Sequence, residues 1–473
     1  MGVRSVRGLR PWRHSRPTLS SARREGLSSP TPARFSRDTG ARHGIPSPQQ
    51  PQGANALNAI KNPRRDALLA AASGPIEGFD VSSPALYEHQ AWGPYFARLR
   101  REDPVHHCPE SRFGPYWSLS RYRDIMATEV DHATFSSEIG GIQVIDQPKD
   151  LQRPSFIRTD PPKHDEQRKV VQPIVAPGNL AKMEPLIRER TRRVLDGVPR
   201  NEEFDWVEHV SIELTTLMLA TIFDFPYEER RKLTWWSDVA ICDVAAEDSP
   251  VRTEEARFEI LKEMAGTMSG LFEERRKGPP KFDLLSMLAH GEATREMPLR
   301  EFMGNLALLI VGGNDTTRNS MSGGLLAMSE NPGEMAKLRA NPELIPSAVS
   351  EIIRWVTPVI HMRRTASRDV EIHGRRIRAG DKVVMWYVSG NRDEEAIEDP
   401  DSFRIDRPKV RQHLSFGFGV HRCVGNRLAE LQLRILWEEL LPRFEQIEVL
   451  GPPRRLYSNF IHGIRSLPVR IPG

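Results

Sequence analysis

The chain has 473 residues, 38% hydrophobic and 27% charged, the balance of an ordinary soluble globular protein. Its apolar runs, such as Leu306 to Val311, are far too short to span a bilayer, and three cysteines (Cys108, Cys242, Cys423) exclude both a disulfide scaffold and an iron–sulfur module built from the chain's own thiolates. Residues 1–65 hold 13 Lys and Arg against 2 Asp and Glu, so within a net charge of +4 the remaining residues carry −7, and the body offers no electrostatic footprint for nucleic acid.

Residues 1–75 are rich in Arg, Ser, Pro and Gly without a sustained apolar period, and are expected to be a disordered tail. Their composition mimics an organellar transit peptide, yet Pro30, Pro32, Pro46, Pro48 and Pro51 would break its helix; an over-long start would read the same way. Helical periodicity then predicts helices over 87–103, 120–132, 164–174, 179–198, 207–223, 227–240, 253–277, 296–330, 333–340, 344–357 and 424–441. Short strands are predicted at 105–108, 115–118, 369–373, 375–378, 382–386 and on both sides of 459–468. The expected fold is mainly α with a small β subdomain, one large domain over 76–473.

The run Phe416-Gly417-Phe418-Gly419-Val420-His421-Arg422-Cys423-Val424-Gly425 sets one cysteine at the mouth of a helix whose Leu428, Leu431 and Ile435 form a buried stripe. A helix N-terminus favours thiolate over thiol, and the glycines let backbone amides approach a flat ligand and point at the sulfur. A thiolate held so is the proximal ligand of a haem iron that cleaves O–O, whereas a lone buried cysteine is usually inert core. In the 296–330 helix, Gly312 and Gly313 each cost about 1 kcal/mol relative to Ala. They mark either a turn or a local opening over the iron, where the Thr316 hydroxyl replaces a lost backbone bond and Asp315 relays protons. Glu351 and Arg354 share one face among Ile352, Ile353, Trp355 and Val356, which favours a buried pair. His164 and Arg168 also share a face, in isolation a solvated one, and His106-His107-Cys108 has no second ligand cluster to make it a metal site.

Over residues 78–473 these strings resemble the cytochrome P450 family. The resemblance implies haem b held at Cys423 with Phe416, Gly417 and Gly425, its propionates met by His164, Arg168, Arg364 and His421. It implies oxygen activation at Asp315 and Thr316, and a Glu351–Arg354 lock beneath the haem. The family's third lock partner often precedes the Phe of a Pro-x-Arg-Phe string; here Ser402 precedes Phe403, and Arg407 is the candidate. Leu308 to Met321, Val388 to Glu395 and Cys423 to Leu431 look like the bacterial alkane and fatty-acid terminal hydroxylases, cytoplasmic enzymes that use dioxygen and are fed by a ferredoxin and its reductase. Sterol side-chain terminal hydroxylases are the next nearest. Leu308, Val311, Gly312, Val359, Ile360 and Phe460 are then expected around an apolar small-molecule substrate, and Lys169, Arg411, Arg422 and Arg427 around an acidic ferredoxin. A haem-thiolate sensor would need neither the Asp-Thr pair nor an apolar slot, and a peroxide-driven hydroxylase would typically lack the Thr.

Overall fold

The computed structural model describes residues 63–147 and 154–473; residues 1–62, most of the expected tail, lie outside the described residues. The end of that stretch departs from expectation, because Pro63–Ser73 is an α-helix. Its Asp-Ala-Leu-Leu-Ala-Ala-Ala core has high helix propensity, and Arg98 donates to the Ala71 and Gly74 carbonyls (3.0 and 2.8 Å) at its C-terminus. Ala71 is fully buried beside Phe79 and Tyr95, so the folded body begins upstream of residue 76.

Long helices dominate, among them Pro177–Asp196, Glu254–Lys277, Leu299–Glu330, Ile345–Val356 and Asn426–Leu440. The predicted 87–103 helix is two, Pro84–Glu88 and Trp92–Glu102, parted where Gln90 takes φ 54°. Leu284–His290 was not expected: seven residues are too few for a periodic signal, and the Asp283 carboxylate fixes the start by accepting from the Ser286 amide (2.8 Å). His361–Ala366 was not expected as a strand either, since both its faces are buried and two arginines interrupt its apolar pattern. It lies in the main sheet, whose order is Val105–Cys108, Tyr116–Leu119, Lys382–Trp386, His361–Ala366, Phe135–Ser136, with one parallel pairing between Tyr116–Leu119 and Lys382–Trp386.

Leu299–Glu330 threads both principal cores, Phe302, Leu306 and Ile310 packing in one and Met321, Leu325 and Met328 in the other. At Gly323 and Gly324 it meets Ile345–Val356 so closely that added Cβ atoms would stand 2.6 Å from Val356 and 2.9 Å from Ile352. Between these contacts its middle turns open onto the cavity described next.

Candidate active site

The 416–425 loop is closed by its own backbone: the Cys423 amide donates to the Phe416 carbonyl and the Gly417 amide to the Leu414 carbonyl, each at 2.8 Å. Gly417 and Gly419 both sit at φ +66°, and a Cβ on Gly419 would stand 2.2 Å from the Glu129 carbonyl, so only glycine fits this approach. Cys423 then falls at the first turn of Asn426–Leu440, its Sγ 4.0 Å from where a Gly425 Cβ would sit. Its accessible surface faces an internal cavity of about 1010 Å³. Burial pushes the thiol up, while the Gly425 and Asn426 amides with Arg168 and Arg422 pull it back toward thiolate.

Four further groups meet on that cavity: His164, Arg168, Arg364 and His421. The two imidazoles pack edge to face with centroids 4.3 Å apart. His164 Nδ1 meets Asp165 (2.7 Å) and His421 Nε2 meets the Ser137 hydroxyl (3.1 Å), which leaves His164 Nε2 and His421 Nδ1 buried without a partner. Burial first, then Arg364, His164 and Arg168, drive the His421 value down. This crowd of donors with orphaned nitrogens fits a ligand that brings its own carboxylates.

The family model for Cytochrome P450 matches residues 119–456. The chain is a cytochrome P450. It is 40% identical to linalool 8-monooxygenase of Pseudomonas putida over 83% of this chain and 99% of that protein. The methyl-branched lipid omega-hydroxylase of Mycobacterium tuberculosis is 32% identical, covering 79% and 90%. The solved structure of CYP153D17 from Sphingomonas sp. PAMC 26605 superposes with a TM-score of 0.79 at 48% identity, covering 84% of this chain and all of that one. The chain is therefore a monooxygenase that carries haem b and acts with redox partners on a small molecule and dioxygen. Among the described residues no helix is long and apolar enough to cross a membrane.

Of the residues expected at the site, Leu308, Val311, Gly312, Thr316, Val359 and Phe460 line the P450 cavity, together with Phe416, Gly417 and Gly425. Two residues do not. Ile360, just ahead of His361–Ala366, is fully buried in the Tyr87–Trp386 cluster and does not line the cavity that Val359, Met362 and Arg364 face. Asp315 lies behind the helix, wholly buried, accepting from Ser237 and paired with Arg318, which also holds Asp238 at 2.8 Å. Burial, reinforced by Asp238, raises the Asp315 carboxyl above the usual range despite Arg318. The helix is not opened at the glycines: Leu299–Glu330 is continuous, and the Thr316 hydroxyl donates to the Gly312 carbonyl (2.8 Å).

Glu351 and Arg354 are both fully buried and joined by two parallel bonds of 2.8 Å. Arg407 is the third partner, its Nε 3.3 and 3.2 Å from the two Glu351 oxygens. Ser402 contributes only its carbonyl, which accepts from Arg354 at 3.2 Å and from Arg407 at 2.6 Å. Arg354 also ties down the Asn391 and Pro400 carbonyls (2.8 Å each), beneath the 416–425 loop's neighbours Leu414 and Ser415, which Asn391 holds in turn.

Sequence reasoning missed Glu129 and Tyr387. The buried Glu129 carboxylate pairs with Arg364 (3.2 Å) and accepts from the Tyr387 hydroxyl, so it aims the arginine at the cavity. Nothing in a helix reading of 120–132 marks Glu129, whose partners are more than 230 positions away.

Proposed function

We propose that this P450 hydroxylates the terminal carbon of a medium-chain alkane or fatty acid, in the cytoplasm, with electrons from a ferredoxin and its reductase. The carrying observation is a cavity whose apolar wall of Leu308, Val311, Val359 and Phe460 leads to both Cys423 and Thr316. Its volume of about 1010 Å³ stands at the top of the usual ligand-pocket range of about 300–1,000 Å³, as befits a chamber shared by cofactor and substrate. A relative named for omega-hydroxylation supports the chain-end reading.

In this reading the Cys423 thiolate holds the iron, and His164, Arg168, Arg364 and His421 meet the propionates. Bound there, haem supplies reductive activation of dioxygen and insertion of one oxygen atom into a C–H bond. The aliphatic wall excludes water and presents a chain end to the reacting position, which is how geometry overcomes the greater strength of a primary C–H bond. Thr316 Oγ1 holds a proton at the cavity surface. Asp315, its carboxyl pushed above the usual range by burial and then by Asp238 against Arg318, replenishes it on turning from Arg318.

Titrating the protein with n-alkanes, fatty acids and sterols, reading the low- to high-spin change, and locating the hydroxyl in the product tests the proposal. Subterminal products, or a response to sterols alone, would overturn it. Thr316→Ala should retain the spin change yet divert reducing equivalents to peroxide or water; full coupling of reductant to product would remove Thr316 from the scheme.

Arg422 and Arg427 are exposed and, with Arg168, line a hollow on the outer side of Cys423, whereas Arg411 is taken by Glu430 (2.8 Å). Electron transfer from an acidic ferredoxin should slow steeply with salt, screening setting in over about 8 Å at physiological ionic strength. Arg427→Glu should slow reduction while the substrate-induced spin change persists; indifference to both salt and charge reversal would put the docking face elsewhere.

A further inference from the structure

The cavity changes character along its length. Besides the aliphatic residues near Thr316 in sequence, its lining includes Arg112, Arg158 and Arg257 together with Asp243, Glu254 and Glu259. A chain whose reacting end lies by Cys423 carries its other end toward these charges.

Each of the three arginines is already engaged. Arg112, in the turn after Val105–Cys108, makes two parallel bonds to Asp243, which follows Arg231–Ile241: Nη1 to Oδ2 at 2.7 Å and Nη2 to Oδ1 at 3.2 Å. Arg257 donates to Glu254 (3.3 Å) and to the Ala240 carbonyl (2.9 Å), and Arg158 to Gln147 (2.8 Å). Asp243 is the better shielded partner, its side chain 21% exposed against 51% for Arg112, and its oxygen also accepts from the Ala245 amide at 3.0 Å. Hydrogen bonds from Arg112 and Ala245 hold its carboxyl below the usual range despite burial, which alone would raise it. Bound end-on through Nη1 and Nη2, the Arg112 guanidinium has that fork filled and its charge offset by the Asp243 carboxylate.

We infer that Asp243 sets head-group selectivity: by filling the Arg112 fork inside the cavity it masks a ready-made carboxylate receptor, so the site selects chains with an uncharged end over fatty acids. The Tyr457 side chain also lines the cavity, and its hydroxyl is engaged with Arg112. Specificity here comes from a built-in repulsion of the wrong partner, since the Asp243, Glu254 and Glu259 carboxylates line the cavity together with these arginines. This rests on the proposed function, in that the substrate must be a chain reaching from Cys423 to Arg112.

The test is a spin-change titration of the haem-loaded protein with 1-alkanols and alkanoic acids of matched length. In the unaltered protein the acid should bind at least about tenfold more weakly than the alcohol, equivalent to about 1.4 kcal/mol. Asp243→Asn keeps an oxygen for the Ala245 amide while removing the charge, and should lower the acid-to-alcohol ratio of dissociation constants about tenfold. Adding Arg112→Gln should restore the ratio. Acid and alcohol binding equally well to the unaltered protein overturns the inference even if the variants fail to fold. So does an Asp243→Asn protein whose ratio is unmoved, because the pair is then only a tie between two loops. If no chain of either kind shifts the spin state, the proposed function falls and the inference with it, an outcome distinct from an equal response to both.

Discussion

Cys423→Ser is expected to abolish the absorption band of the reduced, carbonyl-bound protein that marks thiolate-ligated haem. A serine oxygen fits where Sγ now lies, and it can still accept from the Gly425 and Asn426 amides that face this position. It is not a soft, electron-rich donor, however, so the signature of sulfur on iron disappears. The four cationic and imidazole groups on the cavity are untouched, and the variant should still take up haem, which separates a ligand defect from a folding defect. A variant that kept the band would show that sulfur at this position is not the ligand.

Glu351→Ala is the second large effect, and it falls on stability. The substitution leaves Arg354, wholly buried, and Arg407, 5% exposed, without their shared carboxylate, and strips the Arg404 amide of its acceptor at 2.9 Å. Removing one partner from a buried ion pair costs about 3–5 kcal/mol, a large part of the 5–15 kcal/mol that holds a domain folded. Denaturation followed through the haem absorbance should show that loss, with poor recovery of holoprotein. Ser402→Ala supplies the control: only its carbonyl is used, so its effect should stay within about 0.5 kcal/mol. A Glu351→Ala protein within about 1 kcal/mol of the parent would mean the cluster contributes specificity of packing but little stability.

What was legible in the sequence was what local spacing encodes. The Cys423 loop and the Glu351–Arg354 face are each written within ten or so consecutive residues, the long helix with its paired glycines in one unbroken run of 32, and each stands as a unit in the structure. Direction across a helix was less legible. Consecutive residues point about 100° apart, so the two neighbours of Thr316 part company: Thr317 still lines the cavity, whereas Asp315 turns to Ser237 and to Arg318, three positions on, which holds it away. Contacts between distant elements were not legible at all. Glu129 meets Arg364, and Arg112 meets Asp243, only because the sheet and the helices bring far positions together. The helix Pro63–Ser73 was hidden for another reason, its alanines being weak hydrophobic markers beside a Pro- and Ser-rich run.

The separation of Asp315 from Thr316 makes the long helix a partition between two compartments. One side is a hydrocarbon-lined chamber; on the other a single guanidinium is shared between a fully buried carboxylate and one at 37% exposure. In the proposed scheme, a proton reaches Thr316 from Asp315 only after the carboxyl leaves its Arg318 counter-ion and swings around the helix. Delivery is thus metered by how often that rotation occurs. Lengthening the carboxyl's tether or weakening its grip should alter the timing of turnover rather than the identity of the product.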